Sequence, residues 1–314
     1  MFKYVFGVDL GGTTVKIGLL TTSGEKVDVW EIPTRTEQNG KYILGDIAKS
    51  VRAKMEEKGI TDSEVMGVGI GAPGPVDSKG VIYNAVNLGW GKFNLEEELH
   101  SIVKLPVKAG NDANVAAYGE AWKGGGKGYT NMLLATLGTG VGGGIIIDGK
   151  LLNGATGAGG EIGHIHIEDE EEDTCGCGNH GCFEQYASAT GAVRLAKREL
   201  VASNEDSVLR SENDLTCKLI FDAAKAGDAL AKRVIEKYGY YLGKGLAAVA
   251  SVTNPEVIVL GGGVSKCGEI LFDLLRPSYE KYVFPGSANV KFALAELGND
   301  AGIFGAARML IDKD

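Results

Sequence analysis

Residues 4–20 read YVFGVDLGGTTVKIGLL. The apolar segments 4–8 and 15–20 flank Asp9-Leu10-Gly11-Gly12-Thr13-Thr14, so the stretch predicts a strand, a glycine turn and a second strand, with polar groups at the tip. Residues 132–151, MLLATLGTGVGGGIIIDGKL, repeat the layout: MLLATL (132–137) and GIIIDGKL (144–151) flank Gly138-Thr139-Gly140-Val141-Gly142-Gly143. A chain built from two similar halves is expected.

Working outward, Ile43, Leu44, Ile47, Val51 and Met55 recur at helical spacing, and Val65–Ile70 is strand-like before the turn segment GAPGPVD. Asp112–Trp122 predicts a helix, and Gly124–Gly128 is the candidate boundary or hinge. Further helices are expected near 184–201, 215–226 and 228–250, with a short buried strand at Val257–Leu260 running into Gly261-Gly262-Gly263. A last helix covers Ile303–Ile311. The six acids Glu168–Asp173 read as a solvated loop.

The 314 residues are 44% hydrophobic and 23% charged, which suits a globular chain of about two domains. Lys and Arg number 32 against 41 Asp and Glu, a net charge of -9 that disfavours nucleic-acid partners. The start MFKYVFGVDLGG lacks signal-peptide anatomy, and the most apolar window, Met132–Ile147, carries five glycines and falls short of the ~18 residues of a membrane span. The expected compartment is the cytoplasm, with no membrane partner. The 48 glycines are roughly double the average usage of about 7%. Such a chain turns tightly, or approaches a ligand with its backbone, many times.

Gly69–Gly74 and Gly138–Gly143 both satisfy G-x-G-x-x-G, but a dinucleotide fingerprint needs a helix opening at the glycines. The first match contains Pro73 and the second runs into Ile145-Ile146-Ile147. No P-loop is present. If phosphates bind, turns hold them: Gly11, Gly12, Thr13 and Thr14 offer N–H and hydroxyl donors, Lys16 adds charge, and Asp9 could orient a hydrated Mg²⁺. Gly138, Thr139 and Gly140 form a second such turn, and Gly261, Gly262 and Gly263 a third; three together suit one nucleotide.

Cys175-x-Cys177-x₄-Cys182, with His164 eleven residues upstream, supplies four ligands for a closed, structural Zn²⁺. His166 and His180 compete with His164 by spacing. Cys217 and Cys267 read as ordinary thiols. Asn111-Asp112 before an apolar helix reads on its own first as an ordinary helix cap, with Asp112 as a candidate general base. Trp90 is either a stacking platform or a core aromatic.

These motifs together resemble the ROK family of sugar kinases, within the actin, hexokinase and heat-shock ATPase superfamily. The likeness rests on DLGGTTVKIG (9–18), GAPGPVD (71–77), NLGW (87–90), NDANVAAYGE (111–120), LGTGVGGGII (137–146), GEIGHI (160–165), CGCGNHGCFEQ (175–185) and LGGGVS (260–265). It implies an α/β, two-domain actin/hexokinase-like (ribonuclease H-like) fold with a duplicated strand-turn-strand core and an interdomain cleft. Residues 1–120, with a final helix at about 298–314 packing back, would form the first domain, and 121–297, with a zinc-binding loop at 164–182, the second. The implied reaction is ATP- and Mg²⁺-dependent phosphorylation of a hexose 6-hydroxyl. Glucose is preferred over fructose, mannose, allose or N-acylmannosamine as the implied substrate. By resemblance Asp112 is the general base, His164 the metal-binding histidine, and Gly71, Asn87, Asn111, Asp112, Glu161, His164 and Glu184 the sugar contacts. Dimers or tetramers are expected. The family also contains sugar-sensing repressors with an N-terminal helix-turn-helix, whereas here the first turn starts at residue 9.

Overall fold

The computed structural model describes residues 2–312. In chain order come β1 (Tyr4–Leu10), β2 (Thr14–Thr21), β3 (Lys26–Pro33), α1 (Glu37–Gly40), α2 (Ile43–Lys58), β4 (Val65–Ala72), β5 (Val81–Ile82), β6 (Phe93–Asn94), α3 (Leu95–Val103), β7 (Val107–Asn111) and α4 (Asp112–Lys123). There follow β8 (Met132–Leu137), β9 (Val141–Ile147), β10 (Lys150–Leu151), α5 (Glu184–Ala187), α6 (Ala189–Ala202), α7 (Cys217–Lys225), α8 (Ala229–Thr253), β11 (Val257–Gly261), α9 (Ile270–Tyr282), β12 (Lys291–Leu294) and α10 (Ala301–Ile311).

Two five-stranded sheets share one plan, with orders β3-β2-β1-β4-β7 and β10-β9-β8-β11-β12. In the first, β1 runs antiparallel to β2 and parallel to β4, which is parallel to β7. In the second, β11 runs parallel to β8 and β12, and β10 antiparallel to β9. The duplication anticipated from the two glycine turns is therefore a duplicated sheet.

By packing, one compact unit holds the chain through Thr130, Gly144–Gly160 and the stretch from Glu296 onward. The other holds Asn131–Gly143 and Glu161–Ala295. The expected second domain, 121–297, differs from this division at its start, since residues 121–130 and Gly144–Gly160 belong to the first unit. Gly144–Gly160 packs with the first unit because the Asn114 amide donates to the Gly159 carbonyl at 3.2 Å and Gly144 lies against Ala117.

In the first unit, strand alternation splits the sheet into two apolar faces. Phe6, Val8 and Leu10 of β1 join Ile17, Ile70 and the Ile47, Val51 and Met55 stripe of α2 in one core. Val5 and Leu20 turn the other way, onto Ile303, Phe304 and Ala307 of α10. The approach of α10 is close because Gly7 and Gly69 lack side chains: a methyl at either would collide with the carbonyl of Ile303 or Ala306. Residues 313 and 314 of the expected 298–314 segment lie outside the described residues.

In the second unit, α8 is capped by Asp228, which accepts from the Ala231 amide at 2.9 Å, and its buried face meets α6, α7 and α9. The helix expected over 184–201 is two helices, α5 and α6, broken at Ser188. That residue is extended (φ -87, ψ 172) and its hydroxyl caps α6 through the Gly191 amide at 2.9 Å. The strand expected at 144–151 begins at Val141 and closes by a turn onto β10.

The acidic run is not a solvated loop throughout. Asp169, Glu170, Glu172 and Asp173 are exposed, but Glu171 is buried and ion-paired with Arg194 and Arg198, and Glu168 accepts from the Tyr241 hydroxyl at 2.8 Å. Trp90 is a core aromatic, 7% exposed, edge-on to Phe93 and donating to the Gly40 carbonyl at 3.3 Å. Among the described residues no helix is long and apolar enough to cross a membrane.

Candidate functional site

In the first unit the expected residues gather at the C-terminal ends of the parallel strands, where open α/β sheets bind ligands. Asp9 of β1 pairs across to Lys16 of β2 and to Gly71 of β4, and Ala72 pairs with Asn111 at the end of β7. The turn Gly12-Thr13-Thr14 between β1 and β2 is exposed, and it is braced by the Gly11 amide to the Thr14 carbonyl at 3.0 Å and by the Thr34 hydroxyl to the Gly11 carbonyl at 2.7 Å. Asn87 is exposed in a short 3₁₀ turn, Val86–Leu88, with its Cβ facing Gly12.

Of the two residues, the capping role falls to Asn111. Asn111 is the cap of α4: its side-chain oxygen accepts from the Asn114 amide at 3.1 Å and its Nδ2 donates to the Gly74 carbonyl at 3.2 Å. Asp112, the first helical residue, is left solvent-exposed. Although the residue as a whole reaches solvent, desolvation by the protein around the carboxyl pushes it up from the usual range, against the Ala113 amide and the Asn111 side chain, which favour the ionised form. Burial pushes Asp9 up to about 6, the Asp112 charge adds to the rise, and Lys16 opposes it.

Two residues absent from the sequence reading complete this edge. Asp300 pairs with Lys16 at 2.5 Å and with Lys26 at 2.9 Å. Gly302, in the first turn of α10, lies so close to the Asp9 carboxyl that a methyl there would collide with it. Neither belongs to a recognisable motif; only the packing of α10 on β1 brings them in.

In the second unit, Gly138, Thr139 and Gly140 follow β8, and Gly262 and Gly263 follow Gly261, the last residue of β11, which pairs in register with Thr136. The Thr139 carbonyl accepts from the Thr190 hydroxyl at 2.7 Å, and the Gly138 carbonyl from the Ala189 amide at 2.7 Å, so the start of α6 anchors the turn. Beside Gly263 is a cavity of about 220 Å³ whose walls include Ala189, Val264, Cys217 and Cys267. The two cysteines read as ordinary thiols thus share a wall; burial pushes the Cys217 thiol up to about 12.

His164, Cys175, Cys177 and Cys182 converge, with ligand atoms all within 4.8 Å of one another. His164 Nδ1 is 3.7 Å from Cys175 Sγ, and Cys177 Sγ is 3.6 Å from Cys182 Sγ. A tetrahedral zinc, with bonds of about 2.3 Å to sulfur and about 2.0 Å to nitrogen, spaces its ligands about 3.5–3.8 Å apart. The Cys₃His cluster is therefore compatible with zinc. His166, whose Nδ1 donates to the His180 carbonyl at 2.9 Å and whose Nε2 lies 2.7 Å from an Asp169 carboxylate oxygen, stands outside it, as does His180. Glu184, at the start of α5, has one oxygen 3.9 Å from Cys175 Sγ and the other 2.9 Å from the Val141 amide. Glu161 precedes the 3₁₀ turn Ile162–His164 and is exposed.

A sequence model of the ROK family matches residues 5–313. A glucokinase from Halalkalibacterium halodurans is 47% identical over 309 residues, covering 96% of this chain and 93% of that one. One from Streptomyces coelicolor is 38% identical over 317 residues, covering 98% of each. Among solved structures, a ROK family glucokinase from Streptomyces griseus in complex with glucose and AMPPNP superposes with a TM-score of 0.76 at 36% identity, over 98% of both chains. The duplicated α/β core thus has the two-domain, actin/hexokinase-like fold of these kinases. With its family match spanning nearly every residue, the chain belongs to the ROK family.

Proposed function

We propose that the protein transfers the terminal phosphoryl group of ATP to the 6-hydroxyl of a hexose, with glucose as the preferred acceptor. The observation that carries this reading is Asp112 itself. The capping role is taken by Asn111, and a carboxylate of raised pKa is left open to solvent at the strand edge that also bears the first glycine turn. The likeness to glucokinases over nearly whole chains supports glucose as the acceptor.

Asp112 accepts the hydroxyl proton as the sugar oxygen attacks, and a raised pKa makes its carboxylate a stronger base. Its neighbour Asn111 spends one donor on Gly74 and one acceptor on Asn114, which fixes the amide beside Asp112. Gly71, Asn87, Asn111, Glu161, His164 and Glu184 bind the remaining hydroxyls, which an uncharged polyol needs in pairs for stereochemical discrimination. Gly11–Thr14 with Lys16, Gly138–Gly140 and Gly261–Gly263 supply N–H, hydroxyl and ammonium groups for the nucleotide. The cavity beside Gly263 suits its base.

Asp9, its carboxyl pushed up to about 6 by burial, fits a role in holding hydrated Mg²⁺, which would neutralise phosphate charge. Zinc in the Cys₃His cluster would be structural, because four protein ligands leave no position for water. With His164 Nδ1 directed at Cys175, its Nε2 is free for a sugar hydroxyl. Cytoplasmic location and assembly as a dimer or tetramer belong to the same reading.

The test is coupled detection of ADP over glucose, fructose, mannose, allose and N-acetylmannosamine. Glucose should give the highest kcat/KM, and ATP turnover without dependence on any sugar contradicts the proposal.

A further inference from the structure

We propose that Glu171 is a positioning residue for the hexose site, acting through α5 on the sugar-contacting Glu184. The inference rests on the hexokinase reading above. It begins from the one acid of the run 168–173 that the fold buries, with its side chain wholly enclosed.

Three hydrogen-bonding residues and a second guanidinium, Arg194, converge on this carboxylate. Arg198 reaches Oε1 at 2.8 Å and Oε2 at 3.1 Å, the Asp173 amide reaches Oε1 at 2.9 Å, and Arg194 and the Tyr186 hydroxyl close on Oε2. A buried carboxylate with two guanidinium partners is held in one rotamer, since every departure leaves a buried charge unpaired. The guanidinium of Arg194 also lies over the Tyr186 ring, 5.4 Å from its centre.

The consequence lies in what those partners neighbour. Tyr186 is two residues after Glu184 in a helix only four residues long, too short to hold itself. Gln185, between them, donates to the Asp173 carbonyl at 2.8 Å, accepts from the Cys182 amide at 2.9 Å, and gives its own carbonyl to Arg194 at 3.3 Å. Both residues that follow Glu184 are thus tied to the acidic run. Glu184 in turn fastens the Val141 amide of the glycine turn. Glu171 is the point at which the run, α5 and α6 meet, and it sets the direction of the Glu184 carboxylate without touching it.

The experiment compares wild type with Glu171→Gln, which keeps the shape and removes the charge, and with Tyr186→Phe, which deletes one hydroxyl and leaves both ion pairs. The readouts are steady-state KM for hexose and for ATP, kcat, zinc per chain after dialysis, and hexose affinity by titration calorimetry. Glu171→Gln should weaken hexose KM and calorimetric affinity about tenfold or more. KM for ATP should stay within about twofold, with zinc retained. Tyr186→Phe should shift hexose affinity in the same direction by a few-fold.

A purely structural role predicts a lower Tm and a lower active fraction with hexose affinity unchanged, and that result overturns the inference. If Glu171→Gln does not fold, an unchanged hexose affinity in Tyr186→Phe does the same. A wild-type protein that binds and phosphorylates no hexose removes the parent reading and this one together, whereas normal wild-type activity with unaltered variants removes this one alone.

Discussion

Glu184 accepts a hydrogen bond from the backbone amide of Val141 at 2.9 Å, which joins a carboxylate beside the cysteine cluster to a glycine turn more than forty residues earlier. Gly140 has no room for a side chain, since a methyl there would collide with the same Glu184 oxygen. Gly140→Ala should therefore push the carboxylate aside and lower kcat/KM for hexose about tenfold or more, a loss of about 1.4 kcal/mol in transition-state binding. Steady-state kinetics on the folded variant checks this; an unchanged kcat/KM shows that the contact is incidental.

Asp9 is expected to cost the free protein stability. Its folded-state pKa of about 6 lies above the ordinary 3.8, so the folded state holds the proton more tightly than the unfolded chain. Stability from this group therefore declines as pH rises through that window, and the penalty is complete above it, at most about 3 kcal/mol. Asp9→Asn should raise Tm at neutral pH, converge with wild type near pH ~4, and lose phosphoryl transfer. Calorimetry at both pH values checks the sign; a Tm lowered at neutral pH contradicts it.

Removing the zinc proposed for the Cys₃His cluster should act first on the sugar. Glu161 lies three residues before His164 and Glu184 two residues after Cys182, so loss of the ion would free the segments that carry both carboxylates. Chelation is predicted to weaken hexose binding at least tenfold while far-UV circular dichroism stays near that of the zinc-loaded protein. Metal-free protein with unaltered hexose affinity would refute this.

What was legible in the sequence follows contrast in burial. The two glycine turns announced the duplicated sheets because β1, β2 and β8 are buried nearly throughout and stand out as apolar runs. β3, KVDVWEIP, has no fully buried residue, and as an edge strand it carries no signal to read. The cysteine cluster was legible from spacing because its chemistry is local, with only His164 distant. Ser188, by contrast, hides a helix break inside a continuous apolar pattern, and only its cap on Gly191 reveals it. Asp300, Gly302 and Glu171 were illegible as site residues, since each acts through a partner far along the chain: Lys16, Asp9 and Arg194 with Arg198.

The division of labour between Asn111 and Asp112 is the centre of the account, and one substitution reaches it. Asp112→Asn keeps the size of the side chain and the cap of α4 but removes the proton acceptor. Turnover measured with saturating ATP and hexose, alongside hexose affinity by calorimetry, is the direct test. The expected result is kcat lowered by about 10² or more with hexose affinity within about tenfold of wild type. Turnover close to that of wild type would contradict it.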